Sequence, residues 1–134
     1  MRIYFEVLGK PVGKQRPRTV RNKYSGKVHT FTPDKTKSYE AEVAKAYMKS
    51  ASRNQFAVKF DSAVGVSIFV FVKCPKKQTY SSPTVKPDID NIAKTILDAL
   101  NGVAYEDDKQ VTYLSISKIY GNEDIVLVSV YDYE

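Results

Sequence analysis

The sequence has one cysteine, one histidine and no long apolar run, and each shortage removes a class of protein. Cys74 has no second thiol to bond, which excludes an internal disulfide and suits a reducing cytoplasm. His29 has neither a cysteine nor another histidine at metal-ligand spacing, and no nucleophile-elbow pattern accompanies it for a Ser–His–Asp site. The longest apolar stretch, Val64 to Val72, is broken by Gly65 and Ser67 and is too short to cross a bilayer. Glu6 interrupts MRIYFEVLGK, so no signal peptide is expected there, and no contact with a membrane. Gly9 to Lys14 lacks the glycine spacing and the Ser or Thr of a P-loop. Repeats, linkers and low-complexity tracts are missing too. With 134 residues, 43% of them hydrophobic, one domain over 1–134 is expected.

What is present is charge, unevenly placed. The net charge is +6, but residues 1–60 hold 14 Lys+Arg against 4 Asp+Glu, and residues 61–134 hold 7 against 11. Lys10 to Lys37 is the densest basic stretch, with Asp34 its one acid. Such a lobe attracts polyanions, most commonly nucleic acid, although a solvated face would look the same.

Hydrophobic periodicity gives an α+β order. Arg2–Leu8 reads as a strand with Ile3, Phe5 and Val7 on one face. A basic loop or ragged hairpin follows, with short strands at Thr19–Val20 and His29–Thr32. A helix then starts after Thr32-Pro33-Asp34 and continues to about Arg53, capped by Thr32 or Asp34. Val64–Lys73 is the strongest strand. A polar, basic loop over 75–86 leads to a second helix from about Asp90 to Asn101, stopped by Asn101–Gly102. Gln110–Tyr120 and Ile125–Tyr133 read as strands joined by GNED, which predicts a hairpin. The expectation is a small mixed sheet with two helices packed on it, in the order β-(basic loop)-α-β-α-β-β.

Inside this basic chain, 85–111 gathers Asp88, Asp90, Asp98, Glu106, Asp107 and Asp108. Taken singly, they have structural explanations. Asp88 and Asp90 can cap a helix and meet its dipole, Asp90–Lys94–Asp98 can form an i,i+4 ion-pair row, and YEDDK can be a solvated loop. Together they also suit Mg²⁺, a hard cation that takes a few carboxylate oxygens and serves phosphodiester cleavage. A helix from Asp90 to Asn101 is about 18 Å long. Residues 102–108, nearly extended, span about 23–25 Å. Asp107 or Asp108 can therefore just return to Asp88, or a second subunit can supply that loop. Lys94 can stabilise a phosphate or pair with an acid, and Asn91 can orient a ligand or be an ordinary first-turn residue.

The run KPDIDNIAKTILDALNG followed by YEDDKQV resembles the signature of the RusA family of Holliday junction resolvases. KQRPR and YSGKVHTFTP are similar to the N-terminal region of its phage and prophage members. The resemblance implies a homodimeric endodeoxyribonuclease that nicks four-way DNA junctions symmetrically in recombination and repair. It uses Mg²⁺, for which Mn²⁺ can substitute, and no other small-molecule cofactor. By the same resemblance Asp88, Asp90 and Asp108 are metal-binding and catalytic and Lys94 is catalytic; beside them, Asn91 and Asp107 can stand behind the ligands or be structural.

Lys14, Arg16, Arg18, Arg21 and Lys23 are the candidate phosphate contacts, with Lys76, Lys77 and Lys86 a second group near the acids. Tyr24 and Tyr80, in basic loops, can stack on an opened base. Tyr39, Tyr47, Tyr113 and Tyr131 fall on apolar periodicities and read as core or dimer interface. His29 reads as packing or DNA-facing, and Cys74 as packing. Two other readings fit the residues: a non-catalytic basic DNA-binding protein, and a nuclease for other branched DNA.

Overall fold

The computed structural model describes residues 1–15, 18–31, 33–53, 59–77 and 80–134. Its centre is a four-stranded mixed sheet in the order β1-β6-β4-β5, built from β1 (Arg2–Leu8), β4 (Val64–Lys73), β5 (Val111–Gly121) and β6 (Ile125–Asp132). Alternation puts Ile3, Phe5 and Val7 on the same buried face as Val64, Val66, Ile68 and Val70 of β4 and Val126, Val128 and Val130 of β6. Helices α1 (Asp34–Arg53) and α2 (Ile89–Leu100) cover that face, with α1 against β1, α2 against β5, and the helices against each other. Tyr47 of α1 meets Phe5 edge-on at 5.9 Å. From α2, Ile92, Ile96 and Leu100 are fully buried. The fold is α+β, as the element order predicted. No helix among the described residues is long and apolar enough to cross a membrane.

The remaining strands, β2 (Arg18–Arg21) and β3 (Val28–Phe31), form a separate antiparallel ribbon. Its turn is set by Asn22, whose Oδ1 accepts from the Tyr24 and Ser25 amides, and by Gly26 at φ +68°. Tyr24 at its tip is fully exposed.

The expected hairpin between β5 and β6 does not form. These strands are not neighbours, because β4 lies between them, parallel to β5 and antiparallel to β6. The GNED turn instead passes over the end of β4. There Gly121 O accepts from the Cys74 amide at 3.1 Å, and Asp124 Oδ1 accepts from the Lys73 amide at 2.9 Å. Two alternating strands and a short turn are the local signature of a hairpin, and nothing local reveals that a third strand occupies the space between them. Cys74 is exposed rather than packed. Of the tyrosines, Tyr39 and Tyr47 are in the core, whereas Tyr113 is 41% exposed and stacks on Tyr133 at 4.8 Å on the face away from the helices.

The unit that positions the acids is β4-α2-β5. Since β4 and β5 are parallel, α2 must run back along them. Its first residues lie at the C-terminal ends of the two strands, and its last at their beginnings.

Candidate active site

Asp88 is the N-cap residue of α2, with extended backbone (φ −67°, ψ 149°), yet its carboxylate makes no capping hydrogen bond. Capping therefore does not account for this side chain. Asp90 sits in the first turn, and both residues are exposed. Two open carboxylates at a helix start, i and i+2, are a donor set that suits a hard divalent cation needing few protein ligands.

The backbone beneath them is held on two sides. The Lys118 ammonium of β5 donates to Val85 O at 2.6 Å and Pro87 O at 3.2 Å. From the segment after β1, the Lys14 amide donates to Asn91 O at 3.0 Å. Gly13 approaches so closely that a Cβ there would stand 2.8 Å from Pro87 Cβ and 3.2 Å from Asn91 Cβ. Asn91 is half-buried, and its carbonyl also accepts from Thr95 Oγ1.

Lys14 itself is engaged. Its ammonium lies 2.8 Å from Glu40 Oε1 of α1 and 3.1 Å from Asp98 Oδ2 of α2, with 17% of the side chain exposed. Burial alone would lower its pKa, but the hydrogen bonds and charges of Glu40 and Asp98 outweigh burial, and the net displacement is upward. Expected as a phosphate contact, Lys14 is found clamping the two helices together. Lys94 leans toward Asp98 at 3.9 Å and remains 63% exposed, open to an approaching anion.

Asp107 and Asp108 lie at the other end of α2. After Leu100 the chain turns tightly, with the Val103 and Ala104 amides donating to Leu100 O. The buried Tyr105 then sends its hydroxyl to Leu97 O at 2.9 Å. Burial first, and then the charges of Asp108 and Asp98, push the Tyr105 pKa upward. Asp107 caps one turn of 3-10 helix, Asp108–Gln110, as half of a capping box with Gln110. The Lys109 amide bond to its carboxylate holds Asp107 below the usual carboxylate range. Gln110 Nε2 ties this turn to Phe60 O and Ser62 O, just before β4.

From Val111, where β5 begins, to Lys118, beside Pro87, is about 23 Å at roughly 3.3 Å per residue. The compact turn uses up the slack that would let the loop come back along the helix. Among the described residues no three acids come together as a metal-holding group. One chain thus brings Asp88 and Asp90 together and keeps Asp108 apart from them.

The basic residues surround this site unevenly. Arg21 and Lys23 are exposed on the β2-β3 ribbon, and Lys76, Lys77 and Lys86 on the segment leading to α2. Arg16 lies outside the described residues, and Arg18 is placed by its backbone as the first residue of β2. Asp88 also lines a groove of about 1100 Å³ at the C-terminal ends of β4 and β5, where Lys10, Lys35, Lys73 and Lys118 join Lys76 and Lys86. The first four were not singled out from the sequence, since only the fold gathers them. The capping box was legible: Asp107-x-x-Gln110 has the required spacing.

Residues 9–131 match the protein family described as endodeoxyribonuclease RusA. A Bacillus subtilis (strain 168) protein named "Uncharacterized protein YqaN" is 36% identical over 141 residues, spanning 96% of this chain and 94% of that one.

Proposed function

This chain belongs to the RusA family of endodeoxyribonucleases, and on that premise we propose that it resolves four-way junction DNA by paired, symmetric nicking as a Mg²⁺-dependent homodimer. The observation that carries the reading is the pair of open carboxylates, Asp88 and Asp90, beside a lysine-lined groove. These two would hold the ion, Mn²⁺ serving as well as Mg²⁺, since both accept oxygen ligands. When bound, the ion supplies an activated water and neutralises charge on the leaving oxygen. Lys94, one turn into α2, meets the phosphate. The ribbon and the lysines of 76–86 hold the DNA arms and offset the repulsion between phosphates and acids.

The distance between the ends of α2 supports a third carboxylate from the partner subunit's Asp108. β5 is an edge strand, and Thr112, Tyr113 and Leu114 in succession are exposed on it. Two β5 edges meeting antiparallel about Tyr113 set position 108 of one opposite Lys118 of the other. A two-fold dimer built this way has two equivalent sites, matched to opposed strands of a junction.

The test is incubation with a labelled, immobile four-way junction and with linear duplex, each with and without Mg²⁺. Paired nicks on opposed strands, mostly on the junction and dependent on metal, are expected. Asp90→Asn should abolish them while junction binding persists. Equal cutting of every substrate would replace this reading with a broader nuclease, and binding without cutting under any divalent metal would reject catalysis.

A further inference from the structure

Lys118 stands where a strand of this sheet would ordinarily carry an apolar side chain. Register pairs Leu114, Ile116, Lys118 and Tyr120 of β5 with Val66, Ile68, Val70 and Val72 of β4, on the face that the helices cover. Lys118 is partly buried there, at a position where packing alone would favour leucine or methionine. Among the described residues no carboxylate pairs with it. Its partners are two backbone carbonyls, Val85 O at 2.6 Å and Pro87 O at 3.2 Å.

Those carbonyls belong to the segment that ends at Asp88. The stretch from Val85 to Asp88 otherwise has little to fix it: Val85 is 51% exposed, Lys86 is exposed, and the Asp88 side chain makes no capping bond. From the opposite side it meets Gly13 and, one turn on, the Lys14 amide. Lys118 closes the second side and borders the same groove as Asp88 and Asn91.

We propose that Lys118 is a positioning residue: its ammonium fixes the Val85–Pro87 backbone and thereby sets where Asp88 and Asp90 stand. It acts through the backbone and not on the reacting phosphate. A rigid strand carries it, so the position of the acids is referred to the sheet rather than to the loop. Its consequence for cleavage rests on the junction-nuclease reading, whereas its structural content does not.

The test compares Lys118→Met, which keeps the length and removes the charge, with Lys118→Arg, which keeps the charge. Amide hydrogen exchange is read in the metal-free, DNA-free protein, and kcat and KM on a four-way junction with Mg²⁺. Lys118→Met should raise exchange at residues 85–92 about 10-fold and leave β4 and β6 within about 2-fold, a local opening rather than a global one. It should lower kcat about 100-fold with KM within about 3-fold, as misplaced acids would. Lys118→Arg should restore most of both. Unchanged exchange at 85–92 would overturn the proposal, and so would a raised KM at unchanged kcat, which marks a phosphate contact. If the parent protein cuts no junction, the nuclease reading fails and the exchange result alone decides this one.

Discussion

Lys14→Met separates a helix clamp from a phosphate contact. The side chains of Lys14, Glu40 and Asp98 are 17%, 24% and 25% exposed, with ion-pair distances of 2.8 and 3.1 Å. Exposed pairs contribute about 0.2–1 kcal/mol, and breaking a buried one costs about 3–5. This cluster lies between those limits, and its loss leaves two carboxylates facing each other, so we expect a cost of about 1–2 kcal/mol. For a chain of this length that lowers Tm by about 3–10 °C. Urea denaturation followed by circular dichroism measures it at pH 7, with Lys14→Arg as the charge-retaining control. The pH dependence has a definite sign. The Lys14 pKa is raised above its ordinary value of 10.5, so the clamp is at full strength below that pH and is lost as pH rises beyond it. The gap between parent and Lys14→Met should be constant to about pH 10 and close above it. A variant as stable as the parent, but with weaker junction binding and a shallower salt dependence, would refute the clamp and restore Lys14 as a phosphate contact.

Two further outcomes follow from packing. Burial pushes the Tyr47 hydroxyl up to about 12, and Tyr39 and Tyr105 are raised as well, chiefly by burial, so their protonated forms stabilise the fold fully below about pH 10 and this stabilisation is lost as pH climbs through their raised values. Absorbance at 295 nm should show these three of the ten tyrosines ionising only together with unfolding; all ten titrating near pH 10 in a folded protein would contradict their burial. Gly13→Ala would force its Cβ to 2.8 Å from Pro87 Cβ, and we expect a cost of about 1–3 kcal/mol by thermal melting, with slower cleavage; a melt identical to the parent's would show that the approach is not close.

The sequence was most legible where periodicity is strong and local. Val64–Lys73 has the bounds that its pattern predicts, and the first helix, expected after Asp34, begins one residue earlier, at Asp34, and ends at Arg53. The second helix and the last two strands differ by a residue at their ends. What did not show was spatial order. The intercalation of β4 between β5 and β6 leaves no local mark. Nor does the Lys14 clamp, whose partners come from two different helices. Of the candidate site, Asp88 and Asp90 were readable because helix start and carboxylate spacing coincide. Thr32, the alternative cap of α1, falls outside the described residues. That Asp108 lies at the far end of α2 was not readable. A length estimate permits the loop to return, and only the turn closed by Leu100 and Tyr105 shows that it does not.

The most direct test of a site shared between two subunits is complementation. Asp90→Asn and Asp108→Asn proteins, each expected to be inactive alone, are mixed, allowed to exchange subunits, and assayed on a four-way junction with Mg²⁺. If each site combines Asp88 and Asp90 of one protomer with Asp108 of its partner, a mixed dimer holds one site with every carboxylate intact, and single-strand nicking should return. If all three carboxylates act within one chain, both sites of the mixed dimer stay defective, and a mixture as inactive as its components would contradict the account.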